Sequence, residues 1–138
     1  MREPSGPSSR IDRFVAWLAA FGSCLEQRDL AGLDRLFAVE SSYRPTPFTP
    51  VVRGRRRIRE ALAEQIEHRG SLAVTARALG VGSTYAIAHW AAAWQTPDGH
   101  DAVEDAVLLA AFDPFGRCTS LRVWSVLGDT PTEPPLSA

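Results

Sequence analysis

The sequence predicts a single α+β domain in which three N-terminal helices pack on one face of a mainly antiparallel sheet. Apolar residues recur at helical spacing in the first half, and four strand-like runs separated by short Gly- and Pro-containing turns follow Gly70. A chain of 138 residues has the length of one domain. We expect that domain to span residues 9–128, with residues 1–8 and 129–138 as flexible tails, because both ends contain prolines and lack periodicity.

Composition excludes several classes of protein. The chain is 45% hydrophobic and 22% charged, which is typical of a globular domain. A net charge of −1 argues against nucleic acid or an anionic membrane as partner. The longest apolar runs are too short to span a bilayer, and no signal peptide is recognisable, so we expect a cytoplasmic protein with no membrane partner. Cys24 and Cys118 are interpreted as free buried thiols.

The first predicted helix begins at a capping-box-like pair, Ser9 and Asp12. Its apolar stripe comprises Ile11, Phe14, Val15, Leu18, Phe21 and Leu25. Asp29 is positioned to cap a shorter second helix. That helix would bury Leu30, Leu33, Leu36 and Phe37.

Prolines interrupt the segment Tyr43–Val52, which can therefore form only a loop or an edge strand. A third helix is predicted from Arg55 to Arg69, ending at Gly70 as a residue just past the C-cap. The strand-like runs that follow are Leu72–Leu79, Thr84–Gln95, Ala102–Phe112 and Cys118–Leu127.

The central strands are apolar on both faces, which is unusual for an antiparallel sheet with one wet face. In the second run, one face carries Ala86, Ala88, Trp90, Ala92 and Trp94, and the other carries Tyr85, Ile87, His89, Ala91 and Ala93. Three helices can cover only one side of this sheet. A second copy of the chain is the simplest cover for the other side, so the pattern predicts a homodimer.

Several short motifs together resemble the nuclear transport factor 2-like superfamily, and its SnoaL-like branch in particular. The motifs are Leu36-Phe37-Ala38, Tyr43-Arg44-Pro45-Thr46-Pro47-Phe48, Arg53-Gly54-Arg55, the Trp90 strand, Asp105-Ala106-Val107-Leu108, Phe112-Asp113 and Gly116-Arg117-Cys118. The resemblance implies a cystatin-like cone, a strongly curved sheet wrapped by three helices around a deep apolar cavity. It also implies dimerisation through the sheet. Ketosteroid isomerases, polyketide cyclases, dehydratases and limonene-epoxide-hydrolase-like enzymes share this fold, so the fold alone does not choose a chemistry.

The resemblance also marks departures from known catalytic patterns. Tyr43 matches a tyrosine that holds the attacking water in epoxide hydrolases of this fold, whereas Pro45 replaces their asparagine. The positions of their Arg-x-Asp pair and last-strand aspartate align with Trp90, Ala92 and Val123, none of which can ionise. The last strand carries Val123, Trp124, Ser125 and Val126 where SnoaL-like relatives often have an acid, aromatics and a histidine.

Glu104 is the main candidate for acid–base chemistry, because its neighbours on the same strand face are apolar and a carboxylate among them would be desolvated. The alternative is that Glu104 points into water near the hairpin end. Asp105 faces the opposite way unless a bulge exchanges the two acids. Its alternative is a hydrogen-bonded residue at the dimer face. Tyr43, the third predicted catalytic residue, could donate a hydrogen bond to a ligand oxygen or serve only the structure.

The predicted substrate contacts are mostly apolar. Trp90 and Trp94 could form the floor of a pocket, or could simply fill the core. The full predicted set is Trp90, Trp94, Phe48, Leu108, Phe112 and Ser125.

Other chemistry-bearing residues have ordinary interpretations. His89 is read as an interface histidine, and the arginines between Arg53 and Arg59 as a solvated helix start. Arg122 could pair with Glu104 or Asp105. No Cys, His or Asp spacing resembles a metal site, so no metal and no cofactor are expected.

Two function hypotheses follow. The first is a cofactor-free isomerase, cyclase or dehydratase acting on a small apolar polyketide-, terpenoid- or steroid-like substrate. The second is a non-catalytic ligand-binding or interaction module.

Overall fold

The computed structural model describes residues 7–128 and contains three helices and a six-stranded sheet. The helices are α1 (Pro7–Gln27), α2 (Leu30–Leu36) and α3 (Arg55–Glu67). The strands are β1 (Phe37–Arg44), β2 (Val52–Arg53), β3 (Gly70–Val81), β4 (Ala86–Gln95), β5 (Asp101–Phe112) and β6 (Cys118–Gly128). The predicted α+β class is confirmed. The tails predicted at residues 1–6 and 129–138 lie outside the described residues.

The sheet has the strand order β2-β1-β6-β5-β4-β3. The four long strands β3 to β6 form the predicted antiparallel meander. Irregular register in β3 and between Ala111 and Phe112 marks points where bulges bend the strands. Within the described residues, no helix is long and apolar enough to cross a membrane.

Helix α1 begins at Pro7, two residues before the predicted cap at Ser9, so residues 7 and 8 belong to the helix and not to a tail. Proline suits a first helical position because its missing N–H would be unpaired there anyway. Most of the predicted stripe is buried, but Val15 is half-exposed, and Trp17 is buried in the core.

Strand β1 was missed by the sequence analysis. Phe37, predicted as the end of the second helix, is instead the first residue of β1, which runs parallel to β6. Asp29 caps α2 as predicted, and its Oδ1 accepts a hydrogen bond from the Gly32 N–H at 2.9 Å. Residues 45–51 form a loop and Val52–Arg53 is an edge strand, as the prolines require. Tyr43, predicted as part of the same loop or edge strand, instead belongs to β1, which pairs with strands on both sides.

Helix α3 ends at Glu67, two residues before the predicted end, with His68 as its C-cap. Gly70 is the first residue of β3 and not a helix cap. Arg69 therefore lies in the short turn between α3 and β3. The predicted apolar side of α3, formed by Ile58, Leu62 and Ile66, is fully buried.

The inner face of the sheet packs against the helices and forms one core. On β4 and β5 the buried positions alternate as predicted, with Ala86, Ala88, Trp90 and Ala92 on one strand and Ala106, Leu108 and Ala110 on the next. Phe21 of α1 links helix and sheet, with its ring 5.2 Å from that of Trp90.

The outer face of β3 to β6 carries large exposed apolar side chains. Ile87 and Val107 are each 41% exposed and Val126 is 74% exposed. The other large apolar residues on this side are Leu79, Tyr85 and Trp124. An apolar patch that spans four strands is characteristic of an interaction surface.

Candidate active site inside the sheet

A small cavity lies between the inner face of the sheet, α1 and α3. Its walls are formed by Phe21, Leu25, Tyr43, Pro45, Leu62, Gln65, Ile66, Arg69, Leu72, Val74, Trp90, Ala92, Glu104, Leu108, Leu121 and Val123. The cavity volume is about 30 Å³, room for one or two water molecules. The deep cavity that the resemblance implied is therefore nearly closed in this conformation.

Glu104 faces this cavity from β5, as the strand alternation predicts, and only 9% of the residue is exposed. Its partner is Arg69, whose Nη1 lies 3.5 Å from Glu104 Oε1. The same guanidinium lies over the ring of Trp94, 3.8 Å from the ring centroid. Arg69 is thus held between a carboxylate and an indole, and its side chain is 14% exposed. Arg122, which the sequence offered as a partner of Glu104 or Asp105, is replaced in these roles by Arg69 and His89.

The turn that carries Arg69 is fixed from the outside by Arg28. The Arg28 guanidinium donates hydrogen bonds to the carbonyl oxygens of Ile66 and Arg69, the latter at 2.9 Å. Ser71 follows with a positive φ of 51°, and the β3 register is irregular between Gly70 and Ala73. These features turn the chain sharply after α3, so that Arg69 reaches the cavity.

Tyr43 of β1 is the second polar group in the wall, and it is almost fully buried. Burial raises the pKa of its phenol to about 12, and the negative charge of Glu104 contributes to the increase. A hydrogen bond with Gln65 of α3 and the charge of Arg69 act in the opposite direction. Tyr43 is therefore a neutral hydrogen-bonding group near Glu104 at physiological pH.

The remaining predicted contacts divide between the cavity and other places. Trp90 and Leu108 line the cavity. Trp94 does not line it, but its ring packs against Arg69, which does. Phe48, predicted as a substrate contact, is 97% exposed in a surface turn and does not line this cavity. Phe112 packs against Phe14 and Trp17 at ring distances of 5.8 and 5.3 Å. Ser125 is half-buried opposite Ala106 but does not line the cavity.

Asp105 does not face the cavity. It lies on the outer face of the sheet, where its Oδ1 is 2.8 Å from Nε2 of His89. The His89 side chain is 9% exposed and that of Asp105 is 65% exposed. The strand register places the pair within the apolar patch, with His89 opposite Val107 and Asp105 opposite Val126. Arg122 is also on this face, with its guanidinium 5.0 Å from the Trp124 ring. Asp105, predicted as a catalytic candidate unless it is a hydrogen-bonded residue at the dimer face, therefore does not line the cavity and bonds His89 on the outer face.

A second cavity lies between the N-terminal part of α1 and the two hairpin turns at residues 82–85 and 113–116. Its volume is about 380 Å³, and Phe112 contributes to its wall. Polar groups in this wall include Arg10 and Asp113, whose carboxylate accepts backbone hydrogen bonds from its own turn. It is separate from the Glu104 cavity and shares no lining residue with it.

Two arginines at the start of α3 form ion pairs with nearby carboxylates. Arg59 pairs with Asp34 at 2.8 Å and Arg56 pairs with Glu60 at 3.8 Å. Both cysteines are free, and burial raises the pKa of each thiol, that of Cys118 to about 12. Across residues 7–128, no group of three or more His, Cys, Asp or Glu side chains is arranged to hold a metal ion.

Two residues of the site, Arg69 and Gln65, were missed. Both lie in a segment that reads as the solvated side of an amphipathic helix, next to Glu64 and Glu67. Its sequence spacing could have identified Gln65. The residue follows Leu62 by three positions and precedes Ile66, so it lies at the border of the buried stripe of α3. No local sequence pattern distinguishes Arg69, which lies just after α3, from the arginines within that helix.

Comparison with solved structures supports the architecture. No family model matches the chain, and no curated protein matches it either. Among solved structures, SalBIII, described as an epoxide hydrolase/cyclase-like enzyme in pyran ring formation in the polyether salinomycin, superposes with a TM-score of 0.75. The alignment covers 88% of this chain and 98% of SalBIII at 17% identity. The chain has the SnoaL-like, nuclear transport factor 2-like cone fold.

Two further structures with this SnoaL-like fold come from Mycobacterium tuberculosis. An LEH-like epoxide hydrolase aligns with a TM-score of 0.66 and 16% identity over 83% of this chain and 84% of its own. Rv0760c, solved in complex with estradiol-17β-hemisuccinate, aligns with a TM-score of 0.70 and 14% identity over 81% of this chain and 92% of its own. At such identities the likeness concerns the fold alone.

The positions that the epoxide-hydrolase resemblance singled out share one cavity in this SnoaL-like fold. Tyr43, Pro45, Trp90, Ala92 and Val123 all line it. The ionisable pair of this cavity comes from two other positions, Arg69 and Glu104. The cone therefore contains a carboxylate, a guanidinium and a phenol in an otherwise mostly apolar wall.

Proposed function

We propose that the cone interior binds a small, mostly apolar molecule of polyketide-, terpenoid- or steroid-like character, and that Glu104 exchanges a proton with it. Tyr43 donates a hydrogen bond to a carbonyl or hydroxyl oxygen of the ligand. Trp90, Trp94 and Leu108 provide the apolar walls. The reaction class is a cofactor-free isomerisation, cyclisation or dehydration.

The observation that carries this proposal is the burial of Glu104 beside Tyr43 among apolar side chains. A buried carboxylate is costly unless it is paired, and Arg69 is the partner that this structure provides. A buried phenol close to that carboxylate provides the hydrogen-bond donor that a developing oxyanion requires. The steroid derivative bound by Rv0760c and the cyclase-like assignment of SalBIII support this choice of ligand class.

Ligand entry requires the cone to open. Pockets for small molecules usually have volumes of about 300–1,000 Å³, whereas the cavity described above has about 30 Å³. Arg69 lies in the cavity wall next to Glu104 and stacks on the ring of Trp94. We infer that Arg69 moves away from Glu104 when a ligand enters.

A second candidate function is binding without catalysis. It is favoured by the pairing of Glu104 with Arg69. The guanidinium lies against the Glu104 carboxylate and so hinders this group from accepting a proton from a substrate. In that case the cone would store or sense its ligand.

The exposed apolar face of β3 to β6 supports a homodimer formed through the sheet. Two copies of this face would bury Ile87, Val107 and Trp124, whose exposure in a single chain is otherwise unfavourable. The proposed dimer leaves the cavity accessible, because the cavity opens on the other side of the sheet.

Proton exchange on a bound ketone tests the catalytic proposal. The probe is 2-tetralone in D₂O, and its α-carbon deuteration is followed by ¹H NMR. If Glu104 takes the α-proton and solvent returns a deuteron, the wild-type protein accelerates exchange and Glu104→Gln does not. Asp105→Asn is the matched control, since this neighbouring carboxylate lies on the outer face.

The outcomes separate the two functions. Acceleration that persists in Glu104→Gln contradicts the assignment of Glu104. Binding of the ketone without any acceleration supports the non-catalytic module.

A further inference from the structure

We propose that the molecule bound in the cone carries an anionic oxygen, such as a carboxylate, and that Arg69 recognises it by exchanging Glu104 for the ligand. This inference rests on the proposed function, because it concerns the same cavity. Arg69 would then be the residue that makes the cavity prefer anionic ligands over neutral ones.

The contact between Arg69 and Glu104 is loose. Charge-assisted hydrogen bonds between N–H and a carboxylate usually measure about 2.7–2.9 Å, whereas Arg69 Nη1 lies 3.5 Å from Glu104 Oε1. A guanidinium presents a planar fork of donors that fits a carboxylate in bidentate geometry. An incoming carboxylate can therefore form a better pair with Arg69 than Glu104 does.

The position of Arg69 is suited to such an exchange. Its backbone is fixed by the Arg28 hydrogen bonds to the carbonyl oxygens of Ile66 and Arg69, so the side chain can change partner while the turn stays in place. The Trp94 ring supports one face of the guanidinium, which leaves the edge donors free to turn toward a ligand. Arg69 is still 14% exposed, so an anion can approach it from solvent.

Once a ligand separates Arg69 from Glu104, the pairing of Arg69 favours an anionic ligand over a neutral one. A neutral molecule that separates Arg69 from Glu104 leaves two poorly solvated charges without partners, which is costly. An anionic molecule keeps Arg69 paired and leaves only Glu104, which lies close enough to Tyr43 for its charge to act on the phenol. Binding of the correct ligand would also free the carboxylate that the proposed reaction requires.

Two probes of nearly equal shape test the inference. They are 1-naphthaleneacetate, which carries a carboxylate, and 1-naphthaleneacetamide, which is neutral. Affinity is measured by calorimetry, and the site of binding by the indole N–H signals of Trp90 and Trp94 in ¹⁵N-labelled protein. The variants are Arg69→Gln and, as a matched control, Arg122→Gln, which removes an arginine that also lies over a tryptophan but on the outer face.

The wild-type protein and Arg122→Gln are expected to bind the carboxylate at least about tenfold more tightly than the amide. Arg69→Gln is expected to bind both probes with affinities within about twofold of each other. Equal affinity of the two probes for the wild type, or a preference that survives in Arg69→Gln, overturns the inference.

The same experiment separates this inference from the proposed function. If both probes shift the Trp90 and Trp94 signals with equal affinity, the cone binds apolar molecules and only the role of Arg69 is wrong. If neither probe shifts these signals in any variant, both proposals fail.

Discussion

Glu104 and Asp105 are consecutive residues of β5 with opposite surroundings. Glu104 points into the cone and pairs with Arg69 at 3.5 Å, while Asp105 points outward and pairs with His89 at 2.8 Å. The alternation of side chains along a strand separates the two carboxylates by the thickness of the sheet. Each acid thus has its own basic partner, one beside the cavity and one at the apolar outer face.

The Glu104–Arg69 pair should contribute measurably to stability, because both side chains are nearly buried. Glu104→Gln and Arg69→Gln are each expected to lower the free energy of unfolding, since each leaves the other charge without its partner. In a double-mutant cycle measured by urea unfolding, we expect a coupling energy of about 1–3 kcal/mol. Strictly additive effects of the two substitutions would show that the contact is energetically irrelevant.

The phenol of Tyr43 gives the fold a dependence on alkaline pH. Folding raises its pKa from 10.0 to about 12, so the native state holds this proton more tightly than the unfolded chain does. This contribution is fully present below pH 10 and is lost as the pH rises from there to about 12. Unfolding by urea at several pH values should show the wild type losing stability relative to Tyr43→Phe, by roughly 1 kcal/mol per pH unit in this range.

The comparison with Tyr43→Phe removes the effect of other groups. Cys118, whose thiol pKa is also raised to about 12, titrates in both proteins and cancels in the difference. Parallel stability curves for the two proteins across this range would contradict the assigned environment of Tyr43.

The outer face of the sheet is expected to hold two chains together. Ile87→Glu places a charge in the centre of this face and should convert a particle of twice the 15.0 kDa chain mass into a monomer. Light scattering after size-exclusion chromatography measures the mass directly. Val15→Glu is the matched control, because Val15 is a similarly exposed aliphatic residue on α1. A monomeric wild type at micromolar concentration would refute the dimer.

Gly32 of α2 packs closely against two side chains, those of Asp29 at the N-cap and of Cys24 in α1. A Cβ at this position would lie 2.5 Å from Asp29 Oδ2 and 2.6 Å from Cys24 Sγ. Alanine is otherwise preferred to glycine in a helix by about 1 kcal/mol. A loss of stability on Gly32→Ala would therefore show that the close packing outweighs this helix preference. We expect Gly32→Ala to lower the thermal midpoint through a loss of about 1–3 kcal/mol. Gly80→Ala, where a Cβ meets nothing within 4 Å, should have a much smaller effect.

Periodicity predicted most of the fold. The three helices and the strands β3 to β6 were found because their buried residues repeat at helical or alternating spacing, as in Ile58, Leu62 and Ile66 of α3. Strand β1 was missed because Phe37 continues the apolar spacing of α2 and the strand then contains two serines. Its parallel pairing with β6 depends on a contact far along the chain, which no local pattern encodes.

The site was predicted only in part, and for a similar reason. Strand alternation grouped Glu104 with Leu108 on one face of β5, and in the structure this face and Trp90 line the cavity. The position of Arg69 depends on where α3 ends and on the turn that follows, and helix ends are poorly defined by sequence. Phe48 was included through its motif, but it lies in a turn that points into solvent.

We propose that the cone opens to admit a small apolar molecule next to Glu104. The chain has four tryptophans, and their indole N–H signals report different places. Trp90 and Trp94 lie at the cone interior, Trp17 in the core under α1, and Trp124 on the outer face. In an NMR titration with 1-naphthaleneacetamide, we predict that the signals of Trp90 and Trp94 shift while that of Trp124 stays in place. Shifts confined to Trp124 or Trp17, or no shift at all, would contradict a ligand site inside the cone.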